Sequence, residues 1–125
     1  MQILEYLDPA GRSPYRDWFE DLDAQAATRV TIALTRMELG NLSNVKGVGS
    51  GVQEYRIDFG PGYRIYFGRD GEHIVILLAG ATKSRQHNDV ATAQKRWADY
   101  KESQKGVSGA RNSRRSRDAG ENQWH

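Results

Sequence analysis

The segment from Glu54 to Glu72, EYRIDFGPGYRIYFGRDGE, contains the tripeptide Tyr-Arg-Ile on both sides of Gly-Pro-Gly. Glycine and proline favour turns, whereas the alternating aromatic and β-branched residues around them favour strands. A second turn signal, Asp-Gly, follows the second copy and precedes another apolar run. The sequence therefore predicts three consecutive antiparallel strands: Val52 to Phe59, Tyr63 to Gly68 and His73 to Ala79.

Two amphipathic helices are predicted before these strands. Ser13 is a suitable N-cap with Pro14 at the first helical position, and the apolar residues that follow recur at helical spacing. Asp23 can cap a second helix, and Gly40 stands where that helix would end. Because the two helices follow each other so closely, we expect them to form a helical hairpin.

The remaining segments complete a predicted order of β-α-α-β-β-β-α. Gln2 to Leu7 is typical of a strand, a last helix is predicted to begin at Ser84 or Asn88, and the glycine-rich segment 40–51 is predicted to be a loop. This order predicts an α+β fold, an antiparallel-rich twisted sheet with the helical hairpin packed on one face. We expect the opposite face to be free for function.

The chain has 125 residues, enough for one domain. We predict that residues 1–102 form it and that residues 103–125, which lack apolar periodicity, are a basic, disordered tail. Residues 1–102 contain 13 Lys and Arg against 14 Asp and Glu, and the tail contains 5 against 2. The net charge of +2 therefore comes from the tail, and an anion-binding surface in the domain must be a local patch.

Cellular location is predicted from two features of the sequence. The chain contains no cysteine, which excludes disulfides and cysteine nucleophiles and is typical of a reducing compartment. The longest apolar run, Ile74 to Ala81, is far shorter than the roughly 20 residues that a membrane span needs. We expect a cytoplasmic protein with no membrane partner.

The alternation of side chains separates the paired strands into two faces. If the Gly-Pro-Gly turn pairs Phe59 with Tyr63, one face is wholly apolar or aromatic. The opposite face carries a polar group, in which Arg64 would lie opposite Asp58 and Tyr66 opposite Arg56. If Asp-Gly forms the next turn, Tyr66 and Arg64 would face Val75 and Leu77, and Lys83 would lie near Arg64.

Basic and aromatic side chains on one face suit binding to RNA. A guanidinium group stays charged and binds two phosphate oxygens at once, and a tyrosine can stack on a base or transfer a proton. The alternative is an exposed charge ladder in which Arg64 pairs with Asp58 and Arg56 with Glu54, with no chemistry. The residue pattern alone leaves both interpretations open.

The segment from Glu54 to Tyr100 resembles the phage-derived, HigB-like killer proteins of the RelE/ParE toxin superfamily. The resemblance is carried by YRIDFGPGYRIYF and by a K-x-x-Q-x-x-D-V pattern that reads Lys83, Gln86, Asp89, Val90. It covers most of residues 1–102, including SPYRDWF, and leaves the tail uncovered. It implies the fold predicted above and the toxin of a type II toxin–antitoxin module.

The resemblance further implies a ribosome-dependent mRNA endoribonuclease that inhibits translation and requires no metal or other cofactor. The two arginines would stabilise the phosphate, Lys83 would stabilise charge or move a proton, and Gln86 would contact the substrate or serve as a structural residue at the helix start. Tyr66 is added from its position on the polar face, and His87 from its place beside the motif. The predicted catalytic residues are Arg56, Arg64 and Lys83. The predicted RNA-binding residues are Tyr66, Gln86 and His87.

The resemblance also implies partners, namely the ribosome, mRNA and a cognate antitoxin with a helix-turn-helix domain. Two other functions stay open on the same fold. One is a ParE-like poison of DNA gyrase. The other is an inactive toxin relic that only binds its antitoxin.

Overall fold

The computed structural model describes residues 1–82 and 86–111, with side chains described for 1–82 and 88–105. The elements are β1 (Gln2–Glu5), α1 (Pro14–Glu20), α2 (Ala24–Glu38), β2 (Val45–Gly49), β3 (Val52–Ile57), β4 (Tyr63–Asp70), β5 (Ile74–Thr82) and α3 (Gln86–Arg111). The predicted α+β class is confirmed. None of the helices in the described ranges is long and apolar enough to cross a membrane.

The five strands form one mixed sheet in the order β1-β5-β4-β3-β2. Strand β1 is parallel to β5, and the other three pairs are antiparallel. Strand β4 therefore lies at the centre, and β1 and β2 form the edges. The central position of β4 places Arg64 and Tyr66 in the middle of the sheet.

Strand β2 lies in the segment predicted to be a loop, so that prediction is wrong. Val45 packs against the core on one face of the sheet and Val48 against the core on the other, which is the alternation of a strand. The β2–β3 register shifts between Gly47 and Gly49. Because glycine weakens a strand and often accompanies such irregularities, the glycines hid the strand signal in the sequence.

The predicted Ser13 and Asp23 caps and the end of α2 at Gly40 are confirmed, whereas α3 begins at Gln86 rather than at Asn88. The side chain of Ser13 accepts a hydrogen bond from the backbone N–H of Arg16 at 3.0 Å, and that of Asp23 accepts one from Ala26 at 2.8 Å. Gly40, just after α2, has a φ of +88°, which favours glycine. Helices α1 and α2 pack on one face of the sheet over a core that includes Tyr15, Val30, Met37, Tyr55, Ile65, Phe67 and Leu77.

The opposite face of the sheet is covered by α3, so the prediction of a free face is wrong. Trp97 and Ala93 of α3 are buried there. Gln94 donates a hydrogen bond to the Val48 carbonyl at 2.9 Å, and Arg96 donates one to the Leu78 carbonyl at 3.1 Å. The sequence predicts this helix, but it does not show that the apolar side of the helix packs against the second face of the sheet.

Two glycines of the sheet are in close packing contact with tryptophan rings, one on each face. A Cβ at Gly80 would overlap the ring of Trp18 in α1, and a Cβ at Gly68 would overlap the ring of Trp97 in α3. The missing side chains let the two helices approach the sheet closely. These contacts fix α1 and α3 on their respective faces.

Helix α3 runs to Arg111, beyond the predicted domain boundary at residue 102. Residues 112–125 lie outside the described ranges. Residues 103–111 are thus helical rather than disordered, and the predicted disorder of residues 112–125 stays a prediction.

Candidate functional site

The register of β3 and β4 differs from the predicted one by two residues. Arg56 pairs with Arg64 and Glu54 with Tyr66, so the predicted pairing of Arg64 with Asp58 is wrong. The turn is longer than Gly-Pro-Gly alone, because Gly62 N–H donates to the Phe59 carbonyl at 2.9 Å and pairing begins only beyond it. Since the shift is even, every side chain keeps its predicted face.

The register of β4 and β5 also departs from the prediction. Tyr66 lies opposite Ala79 and Arg64 opposite Ala81, rather than opposite Val75 and Leu77. The turn after β4 is longer than two residues, and a bulge falls between Tyr66 and its neighbour on β4. Small alanine side chains therefore flank the arginine and the tyrosine.

Arg64 forms an ion pair with Glu54, with 3.3 Å between Arg64 Nε and Glu54 Oε2. The side chains are 7% and 0% exposed. The predicted exposed ladder, in which Glu54 would pair with Arg56, is therefore wrong in its pairing. A buried charge needs a partner because removal from water is costly, and Glu54 supplies one to Arg64.

Tyr66 lies on the same face and is fully buried. Burial raises the pKa of Tyr66 to about 12, and the negative charges of Glu54 and Asp89 act in the same direction while Arg64 opposes them. Asp89 belongs to the first turn of α3. At neutral pH Tyr66 is therefore a neutral phenol that can donate a proton. We refer to Glu54, Arg64, Tyr66 and Asp89 as the polar cluster.

Arg56 is the exposed neighbour of this cluster. It pairs directly with Arg64 across the two strands, but its side chain is exposed whereas Arg64 is 6% exposed. Arg56 also lines a groove beside α2, together with Arg29 and Arg36. The structure thus keeps the two predicted arginines adjacent and gives them different environments.

The other predicted site residues fall in or next to a gap in the description. Lys83 lies outside the described residues. Gln86 and His87 begin α3, and their side chains lie outside the described part of the chain. Strand β5 ends at Thr82, which lies opposite Tyr63, the residue before Arg64 on β4. The roles predicted for Lys83, Gln86 and His87 stay predictions.

The sequence analysis missed the ion pair of Glu54 with Arg64 and the arginines that α2 contributes to the groove. Glu54 shares the face of Arg56 and Arg64 by simple alternation, but the predicted turn placed it opposite the wrong residue. Arg29 and Arg36 are the two basic residues of α2, and seven-residue spacing places them on one side of the helix. Among the side chains of residues 1–82 and 88–105, no three acidic or histidine residues are grouped to hold a metal ion.

Comparison with known proteins relates the chain to a protein of Haemophilus influenzae. No family model matches the chain. A protein of Haemophilus influenzae, described as an uncharacterized protein, is 35% identical over 81 residues, which cover 64% of this chain and 82% of that protein. The chain belongs to the family of this Haemophilus influenzae protein. The description of that family member names no activity.

Proposed function

We propose that the protein is the toxin of a type II toxin–antitoxin module and acts in the cytoplasm as a ribosome-dependent mRNA endoribonuclease. The resemblance to HigB-like proteins of the RelE/ParE superfamily, and to their fold, supports this proposal. The structural observation that carries it is the direct pairing of Arg56 with Arg64, with Tyr66 on the same face.

Cleavage would follow attack of a ribose 2′-hydroxyl on the adjacent phosphate. The bond from phosphorus to the 5′ oxygen breaks, which leaves a 2′,3′-cyclic phosphate and a 5′-hydroxyl. The site must stabilise the added negative charge of the phosphorane, take a proton from the nucleophile and give one to the leaving oxygen. Two adjacent guanidinium groups are suited to the first task.

The two arginines have different parts in this proposal. Arg56 is exposed and binds the phosphate directly. Arg64 is oriented by Glu54 and stabilises the transition state from behind. Lys83, which the resemblance assigns to the site, stabilises charge or moves a proton, and Gln86 and His87 contact the RNA.

Tyr66 acts through its hydroxyl group. Its pKa of about 12 keeps the proton on the phenol at neutral pH, so the group can protonate the leaving oxygen. Stacking on a base would need an open ring face, and the ring is fully buried in this conformation. Cleavage by this route requires RNA to reach Arg64 and Tyr66, which are buried in this conformation.

A translating extract supplied with a defined message tests the proposal. Added protein should cut the message and leave 2′,3′-cyclic phosphate ends. Arg56→Gln should abolish the cut, whereas Arg12→Gln, which removes an exposed arginine that pairs with Asp17, should not. Expression in cells gives the contrasting outcome. If expression stops growth and breaks DNA while the message stays intact, the protein belongs instead to the gyrase poisons.

The proposed protein partner is an antitoxin with a helix-turn-helix domain. Its gene should lie next to that of the toxin, and co-expression should restore growth. A co-purified complex without restored growth would contradict the assignment.

A further inference from the structure

A groove of about 230 Å³ lies between α2 and the end of β3. Strand β2 pairs with β3 only as far as Tyr55, so the following residues of β3 pair with β4 alone and have no strand on their other side. At this end the backbone N–H of Arg56 donates to the Asn44 carbonyl at 3.3 Å. The groove is thus formed by one face of α2, the end of β3 and the residue before β2.

The lining of the α2 groove is basic. It contains three arginines, Arg29, Arg36 and Arg56, and one carboxylate, Asp58. None of the three arginines forms an ion pair within the part of the chain that the structure describes.

Two other exposed arginines in the described part of the domain have acidic partners. Arg12 pairs with Asp17 at 3.1 Å, and Arg16 with Glu5 at 2.6 Å. The positive charge of the α2 groove, unlike that of Arg12 and Arg16, therefore remains available to an external anion.

An aromatic contact positions one of the three guanidinium groups. The Arg29 guanidinium lies 4.6 Å from the centroid of the Phe59 ring. This contact restrains the group while its N–H edge can still bind an anion. A second hollow of about 430 Å³, lined by Gln25, Thr28 and the same Arg29 and Phe59, continues the surface towards the start of α2.

The spacing of the arginines favours an extended anion. Arg29 and Arg36 are seven residues apart on α2, which corresponds to about 10.5 Å along the helix axis. Charges at that separation suit successive phosphates of a polymer better than one phosphate ion. The neighbouring Gln25 and Thr28 side chains add hydrogen-bonding groups along the same line.

We propose that the α2 groove binds the phosphodiester backbone of single-stranded RNA on the α2 side of the sheet, the face opposite the polar cluster. The proposal rests on the proposed function, because Arg56 belongs to both surfaces. The groove would bind a part of the message away from the cleaved bond, so Arg29 and Arg36 lie outside the reaction itself.

The test is the salt dependence of binding to an unstructured RNA oligonucleotide, measured by fluorescence anisotropy on the full chain. Arg29→Gln/Arg36→Gln should weaken binding and reduce the salt slope by about 1.4, because each phosphate contact to a single strand contributes about 0.7. Arg12→Gln/Arg16→Gln removes the same formal charge from ion-paired sites and should leave the slope near that of the wild type. Urea midpoints of both variants verify folding.

Equal losses in the two double variants would overturn the proposal, since they would show a general charge effect. An unchanged slope in Arg29→Gln/Arg36→Gln would also overturn it. So would an acidic peptide that binds through these arginines when RNA does not, since the groove would then belong to a protein partner.

Cleavage in the extract is scored separately. Groove-dependent binding without cleavage would support the groove and reject the nuclease. Cleavage with binding unaffected by Arg29→Gln/Arg36→Gln would reject the groove alone.

Discussion

Glu54 and Arg64 form an ion pair between neighbouring strands in which the two side chains are 0% and 7% exposed and Arg64 Nε lies 3.3 Å from Glu54 Oε2. A charge in such a position is costly without its partner. The pair holds a guanidinium group beneath the exposed Arg56, and every proposed role of Arg64 depends on it.

Removal of one partner of this pair should destabilise the fold. Glu54→Gln or Arg64→Gln leaves one buried charge uncompensated, and we expect a loss of roughly 3–5 kcal/mol in the free energy of unfolding. Urea denaturation measures it. The double variant Glu54→Leu/Arg64→Met, which removes both charges, should recover most of the loss, and single variants as stable as the wild type would contradict the pairing.

Arg56 and Arg64 should separate activity from stability. Because Arg56 is exposed, we expect Arg56→Gln to change the free energy of unfolding by less than about 0.5 kcal/mol. If it binds the transferred phosphate, it should lower the rate of message cleavage by about 10²-fold or more. Cleavage at the wild-type rate by a folded Arg56→Gln variant would remove Arg56 from the site.

The contacts between the two glycines and the two tryptophans predict that small substitutions at these glycines lower the stability of the fold. Gly80→Ala and Gly68→Ala push a methyl group into the rings of Trp18 and Trp97, and we expect each to cost about 1–3 kcal/mol. Gly47→Ala is the matched control, since it also lies in a strand and its Cβ would meet nothing within 4 Å. Similar thermal midpoints for all three variants would show that the helices do not depend on these contacts.

Tyr66 predicts a loss of stability at high pH. Burial raises its pKa from 10.0 to about 12 in the folded protein. Between these values the unfolded chain releases the proton and the folded chain keeps it, so this contribution is complete below pH 10 and declines towards pH 12.

Tyr66→Phe removes the titrating group. It should therefore make the decline shallower by up to about 1.4 kcal/mol per pH unit. Urea unfolding over this pH range measures the slope, and the wild type and Tyr66→Phe falling in parallel would contradict the prediction.

Local signals in the sequence predicted most of the fold. Ser13 and Asp23 mark the helix starts because their side chains satisfy free backbone N–H groups, and both caps are confirmed. The faces of Arg56 and Arg64 were predicted correctly although the register was wrong, because alternation survives a shift of two residues.

The errors came from the geometry of one turn and from contacts between segments distant in the sequence. The length of the turn near Gly62 depends on its own hydrogen bonds, and it decides that Glu54 rather than Asp58 is near Arg64. Helix α3 covers the second face because the ring of Trp97 packs directly on Gly68. The sequence of neither segment alone indicates this contact. The α2 groove likewise exists because α2 passes beside the end of β3.

The most direct test of the account combines purified protein, a defined message and translating ribosomes, with the 3′ ends of the fragments analysed chemically. We predict cleavage only when ribosomes are present, with 2′,3′-cyclic phosphate ends and no cleavage by folded Arg56→Gln. An intact message with the wild-type protein bound to the ribosomes would contradict the proposed nuclease.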